Sequence, residues 1–91
     1  MAWAIEFDEQ AKRQFKKLDA QAARRLYAFL RDRVAPLDDP RQLGKALQGS
    51  TLGDFWAYRV GDYRIICDLQ NGRLVVLVLA IGNRRDVYRR R

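Results

Sequence analysis

The sequence predicts an α+β fold in which a helical hairpin packs on one face of an antiparallel four-stranded sheet, in the order β-α-α-β-β-β. Three observations predict this class. An alternating segment opens the 91-residue chain, two apolar stripes with helical spacing follow it, and three strand-like segments separated by glycine turns come last. A chain of this length buries one core, so residues 1–91 are expected to form a single domain.

The N-terminal segment predicts one strand and two helices. Trp3, Ile5 and Phe7 alternate with small or polar residues, which is the period of a half-buried strand. Asp8 and Asp19 are expected to cap the two helices, because an aspartate side chain accepts hydrogen bonds from the first free N–H groups of a helix. The second apolar stripe extends to residue 34, and the prolines that follow are expected to end this helix.

Residues 36–54 show no regular period, and two predicted strands follow them. These strands are Phe55–Val60 and Tyr63–Leu69. The residues that join them, Gly61-Asp62, have the glycine-first order that favours a type II′ hairpin turn.

A further turn leads into the last predicted strand, Leu74–Ile81. The dipeptide Asn71-Gly72 before it is a strong type I′ signal. The strand itself is apolar on both faces, so we expect it inside the sheet, with the N-terminal strand as its candidate neighbour. Gly82 is expected to bend the chain out of the sheet.

Composition excludes several kinds of site. Eighteen basic residues against 11 acidic ones give a net charge of +7, which favours a polyanion or an acidic protein as partner. There is no histidine, so Ser-His-Asp triads and the usual zinc sites are excluded, and no metal or cofactor is expected. The single cysteine, Cys67, lies in a predicted strand and is expected to be a buried thiol. No signal peptide or membrane-spanning run is evident, and we expect a cytoplasmic protein.

Two arginines lie where predicted strands meet. Arg59 ends one strand and Arg64 begins the next, so the two-residue turn places them opposite each other. Like charges in this position destabilise a sheet unless an anion or a carboxylate offsets them. Two roles are therefore open for Arg59 and Arg64. They bind an anion together, or either arginine has a structural role and pairs with a local carboxylate such as Asp62 or Asp68.

The C-terminal segment adds more positive charge. Residues 82–91 contain five arginines and one aspartate. The apolar residue before Tyr88 favours a tail that packs back on the sheet over a free, solvated tail, and such packing would bring Arg84, Arg85 and Tyr88 near Arg64. Guanidinium groups bind phosphate bidentately, and tyrosine can stack on a base or exchange a proton. Together the two segments predict an RNA-facing site.

The same residues resemble the RelE/ParE superfamily of bacterial toxin–antitoxin toxins, and their pattern is closest to the RelE branch. The resemblance extends over nearly the whole chain. Its segments are Trp3-Ala4-Ile5-Glu6-Phe7, Ala11-Lys12-Arg13, Leu18-Asp19, Arg59-Val60-Gly61-Asp62-Tyr63-Arg64 and Gly82-Asn83-Arg84-Arg85-Asp86-Val87-Tyr88. The resemblance implies the same β-α-α-β-β-β fold and a toxin of a type II module.

Roles for individual residues follow from this resemblance. In RelE-like toxins arginine and tyrosine, often with lysine, cut mRNA held in the ribosomal A site. By position, Arg64 would stabilise the phosphate, Arg84 would donate a proton or act as a second clamp, and Tyr88 would act as base or stack on the nucleotide. Free tyrosine titrates near 10 and arginine above 12, so both proton roles require strongly perturbed pKa values. Additional RNA-binding residues would be Arg59, Arg85 and Lys45.

Two positions depart from the RelE pattern. Ala57 stands where a lysine or arginine is expected, and Asn83 stands where many relatives carry histidine. Lys45, in the preceding loop, is a candidate to supply the missing charge. The departures leave open a reduced activity or a changed base preference.

Three functions are weighed on this basis. The favoured one is a ribosome-dependent mRNA endonuclease, held in a hetero-oligomer by a RelB-like antitoxin whose acidic, amphipathic helix covers the sheet or the helical hairpin. The second is a ParE-like toxin that inhibits DNA gyrase by binding. The third is an inactive relative that binds RNA or protein, which Ala57 keeps open. The joint presence of Arg64, Arg84 and Tyr88 favours the endonuclease.

Overall fold

The computed structural model describes residues 2–47 and 55–83, and in them two helices pack on one face of a mixed five-stranded sheet. The elements in chain order are β1 (Ala4–Phe7), α1 (Glu9–Lys16), α2 (Ala20–Phe29), β2 (Lys45–Ala46), β3 (Phe55–Val60), β4 (Tyr63–Gln70) and β5 (Val75–Asn83). A π-helical turn, Leu30–Val34, continues α2, and a 3₁₀ turn, Pro40–Gln42, precedes β2.

The strands lie in the order β1-β5-β4-β3-β2. The last four pair antiparallel, whereas β1 pairs with β5 in parallel, with Ala4 opposite Val75 and Phe7 opposite Val78. The α+β class and the pairing of the first and last strands are confirmed. The prediction of an antiparallel four-stranded sheet is wrong, because β1 is parallel and β2 adds a fifth strand. The path of the helices sets the direction of β1, and β2 is too short to show a strand period.

The helices begin where the sequence predicts, and α2 ends in a wider turn. Asp8 and Asp19 accept hydrogen bonds from backbone N–H groups of the first helical turns, at 3.2 and 2.7 Å. After α2, the N–H of Ala35 donates to the carbonyl of Leu30 at 2.8 Å, a bond one residue longer than that of an α-helix. This turn keeps Leu30 and Val34 fully buried.

The core lies between the helices and the sheet, and it takes alternate residues from each strand. Its largest fully buried side chains include Leu26, Leu30, Val34, Tyr58, Ile65, Val76 and Val78. Cys67 is also fully buried, as predicted, and this burial raises the pKa of its thiol. A bulge in the β4–β5 ladder lies near Ile81, whose N–H donates to the side-chain oxygen of Gln14 on α1 at 2.7 Å.

The hairpin between β3 and β4 has the predicted turn. Val60 lies opposite Tyr63 and Arg59 opposite Arg64. Gly61 has a φ of +60°, while Asp62 keeps a negative φ, as a type II′ turn requires.

The turn before β5 differs from the prediction. A type I′ turn needs positive φ at both Asn71 and Gly72, and neither has it; Leu74 has a φ of 54° instead. The longer loop allows Arg73 to bind Gln70 at 2.7 Å and Glu6 of β1 at 3.3 Å. The last strand therefore begins one residue later than predicted. It also continues through Gly82 to its end at Asn83, so the expected bend at this glycine is wrong.

Candidate functional site

The register of the sheet places three basic residues on the face opposite the helices. Arg59 of β3 lies directly across from Arg64 of β4. Lys45 of β2 lies across from Ala57, which is two residues before Arg59 and therefore on the same face. The intervening residue, Tyr58, belongs to the core.

A pocket of about 390 Å³ opens where these strands meet the end of α2, and we call it the basic pocket. Its volume is within the range of small-ligand sites. Among the described residues that line it there is no carboxylate. The charged walls are Arg33, Lys45, Arg59 and Arg64. The remaining walls are Phe29, Leu43, Gly44 and Ala57.

The ion pairs of the described residues do not involve three of the four cations of this pocket. Within residues 2–47 and 55–83, Arg33, Lys45 and Arg59 form no ion pair. Three described arginines outside the pocket do form ion pairs, Arg31 with Asp32 at 2.8 Å, Arg41 with Asp39 at 2.9 Å and Arg73 with Glu6 at 3.3 Å. Arg13, Arg24 and Arg25, also outside the pocket, form none within the described segments. A cavity whose described lining holds four cations and no carboxylate has the electrostatics of an anion-binding site.

The two paired arginines differ in exposure. Arg59 is exposed, whereas Arg64 is half-buried and its Nε atom is buried. The neighbouring strand β5 ends at Asn83, opposite Tyr63, which is the end of the sheet that carries Arg64. The structure thus brings together three of the predicted site residues in one cavity. The other three predicted residues lie outside the described part of the chain, and they are Arg84, Arg85 and Tyr88.

Contacts with one core tyrosine fix the position of Lys45. The hydroxyl of Tyr58 donates to the carbonyl of Pro40 at 2.8 Å. Gly44 packs so closely on the same ring that a Cβ at this position would lie 2.8 Å from its Cε1 atom. A side chain at residue 44 would therefore push β2 away from β3, and with it Lys45, so the glycine is needed for close approach.

Sequence reasoning did not identify Arg33 as a site residue. It lies in the π-helical turn after α2 and shares the basic pocket with Phe29, four residues earlier. That spacing places both residues on one side of a helix. It is the feature of the sequence from which the position of Arg33 beside Phe29 could have been predicted.

A second concave surface lies on the helical hairpin, and we call it the hairpin groove. Its volume is about 410 Å³. Tyr27 lies in it, 42% exposed, with its ring 6.5 Å from that of Phe7 and the Arg31 guanidinium 5.8 Å from its centroid. The lining residues are Phe15, Ala23, Arg24, Tyr27, Ala28 and Arg31. An apolar floor with basic groups at its rim suits an amphipathic helix that carries acidic residues.

Neither a membrane-spanning helix nor a metal centre is present in the described segments. The helices α1 and α2 contain 8 and 10 residues, and none in these segments is long and apolar enough to cross a membrane. The same segments contain no group of three or more His, Cys, Asp or Glu side chains that could hold a metal ion.

Known proteins resemble this chain in sequence and in fold. A sequence profile of the ParE toxin of type II toxin–antitoxin systems (parDE) matches residues 5–88. Toxin RelG of Mycobacterium tuberculosis is 28% identical over 90 residues, which cover 99% of this chain and 100% of RelG.

Solved structures with the same fold include two toxin–antitoxin complexes. The RelBE2 complex of M. tuberculosis has a TM-score of 0.79 at 20% identity, with 91% of this chain and 92% of the other covered. The intact RelBE complex of E. coli has a TM-score of 0.70 at 22% identity, with 90% and 96% covered. At this identity the structures establish the fold, and the profile establishes the family. The chain belongs to the ParE toxin family, within the RelE/ParE superfamily of type II toxin–antitoxin toxins.

Proposed function

We propose that this toxin is a ribosome-dependent endonuclease that cuts mRNA in the A site and thereby stops translation. The observation that carries the proposal is the basic pocket, in which four cations surround one cavity without a carboxylate among its described lining residues. Arginine binds a phosphate through two parallel hydrogen bonds, and several such groups suit a phosphodiester backbone. Similarity to toxin RelG and to RelE toxins supports the choice of RNA as the substrate.

The proposed reaction is attack of the RNA 2′-hydroxyl on the adjacent phosphate. It needs a base for the hydroxyl, stabilisation of the charged phosphate and an acid for the departing 5′-oxygen. Arg64 stabilises the phosphate, because its half-buried side chain is held more firmly than that of exposed Arg59. Arg84 donates the proton or acts as a second clamp, and Tyr88 acts as base or stacks on the nucleotide. The residues that bind the RNA around this centre are Arg59, Lys45 and Arg85.

The proposed partner is a RelB-like antitoxin in a hetero-oligomer. The similar RelBE proteins of M. tuberculosis and E. coli are toxin–antitoxin complexes. The hairpin groove offers an apolar floor around Tyr27 and Ala28, with Arg24 and Arg31 at its rim. An acidic, amphipathic antitoxin helix fits this surface and the net charge of +7.

Controlled expression in a bacterial host, with primer-extension mapping of a reporter mRNA, tests the endonuclease. We expect growth arrest and cuts within codons that disappear when translation of the reporter is blocked. Arg64→Ala and Arg84→Ala should abolish the cuts, and Tyr88→Phe should weaken them. Arg31→Ala is the matched control, because Arg31 lies outside the basic pocket and pairs with Asp32.

Inhibition of DNA gyrase is the second candidate function, and the ParE profile favours it. In that case the basic residues would form a binding surface without cutting RNA. Growth arrest with intact mRNA and induction of the DNA-damage response would support gyrase inhibition and refute the endonuclease.

A further inference from the structure

We infer that Arg33 and Lys45 form a second set of phosphate contacts in the basic pocket, and that Lys45 supplies a positive charge interchangeable with one at position 57. The inference rests on the proposed RNA-binding function. It adds Arg33 to the substrate contacts of the same site and relates the charge of Lys45 to position 57.

Lys45 and residue 57 share one location on the sheet. Lys45 lies directly opposite Ala57 in the antiparallel β2–β3 pair, and both line the basic pocket. The Cβ atoms of such a pair are about 4.5–5.5 Å apart. Ala57 is buried, at 4% exposure, so a lysine at this position would have to extend from the floor of the cavity into the space that Lys45 lines. Ala57 contributes only a methyl group and leaves the cavity open for the lysine of the neighbouring strand.

The position of Lys45 is fixed by its own strand. Gly44 lies against the ring of Tyr58, and this tyrosine is hydrogen-bonded to the carbonyl of Pro40. Just after β2, the N–H of Leu47 donates to the carbonyl of Phe55 of β3 at 3.1 Å. The backbone that carries Lys45 is therefore held to β3 both before and after this residue, which is the preorganisation that a ligand contact requires.

Arg33 lies in the π-helical turn and lines the pocket. The fully buried Leu30 and Val34 flank it and fix the turn, whose wider bond joins Leu30 to Ala35. Single π-turns in helices are frequent at functional sites. Arg33 itself is exposed and lines the cavity.

A purely structural role for these two side chains would require partners in the fold. Within the two described segments neither Arg33 nor Lys45 forms an ion pair. Their truncation should therefore leave the thermal stability unchanged while it weakens anion binding, and this difference separates the two roles.

The test is binding of a short, single-stranded RNA by the purified toxin, measured by fluorescence anisotropy at several KCl concentrations. Arg33→Ala and Lys45→Ala should each weaken binding roughly tenfold at low salt, since a charge-assisted contact is lost. Each should lower the slope of log K against log salt by about 0.7. The double variant Lys45→Ala/Ala57→Lys should regain the wild-type affinity and slope. Lys12→Ala is the control, because Lys12 is an exposed lysine outside the pocket.

The inference is overturned if Lys45→Ala and Arg33→Ala bind like the wild type, or if the double variant binds no better than Lys45→Ala at an unchanged melting temperature. Cleavage of mRNA on programmed ribosomes, measured with the same proteins, separates this outcome from failure of the proposed function. A wild type that shows the predicted binding pattern but leaves ribosome-bound mRNA intact refutes the endonuclease alone. A wild type that cuts, with Lys45→Ala and Arg33→Ala equal to it in binding, refutes only the second set of contacts.

Discussion

Removal of a single hydroxyl from the core tests how the edge strand of the site is held. Tyr58 is 1% exposed and donates to the carbonyl of Pro40 at 2.8 Å. In Tyr58→Phe the ring remains, but the carbonyl keeps only a long 3.4 Å bond from the N–H of Leu43. Loss of a buried hydrogen bond that leaves its acceptor poorly satisfied should lower the free energy of unfolding by about 1–2 kcal/mol.

Urea and thermal unfolding followed by circular dichroism measure this change. For a domain of this size the melting temperature should fall by roughly 4–16 °C. The matched control is Tyr27→Phe, because this tyrosine is 42% exposed and the change should stay within about 0.5 kcal/mol of wild type. Equal stability of the two variants would refute the argument that the Tyr58 hydroxyl anchors the segment before β2.

Three further changes test the packing. Gln14→Leu removes the acceptor of the Ile81 N–H and should cost about 1–3 kcal/mol in a urea melt; a variant as stable as wild type would show that this bond is replaceable. Leu30→Ala, at a fully buried position, should cost about 2–5 kcal/mol, whereas Leu43→Ala, at a 39% exposed one, should cost far less. Burial raises the pKa of Cys67 above its ordinary value of about 9, so its contribution to stability is present below pH 9 and declines above it. The loss should approach 1.4 kcal/mol per pH unit, and Cys67→Val should lack this component of the pH dependence in urea melts.

Local signals in the sequence predicted most of the fold. The caps at Asp8 and Asp19 and the turn at Gly61 depend only on neighbouring residues, and all three are confirmed. The direction of β1 depends on the path of the whole helical hairpin, which no local pattern encodes. The Asn71-Gly72 signal was overridden by a longer loop, in which Arg73 joins β1 through Glu6.

In the site, too, features set by neighbouring residues could be predicted, whereas features set by contacts between distant residues could not. The register of Arg59 and Arg64 could be predicted, because a two-residue turn fixes it. The direction of Lys45 could not, since it depends on the contact between Gly44 and Tyr58, 14 positions apart in the chain. Arg33 was missed because its spacing from Phe29 predicts only that both lie on one side of a helix, whereas the strands that complete the pocket are distant in the sequence. The roles of the C-terminal residues Arg84, Arg85 and Tyr88 stay predictions.

A reconstituted cleavage assay tests the central claim most directly. Purified toxin is added to a defined mRNA, either free or bound to a ribosome with an empty A site, and the products are mapped by primer extension. We predict a cut within the A-site codon only when the ribosome is present, and a decrease in its rate of about 10²–10³-fold in Arg64→Ala. Intact mRNA on the ribosome, or equal cutting of the free mRNA, would contradict the account.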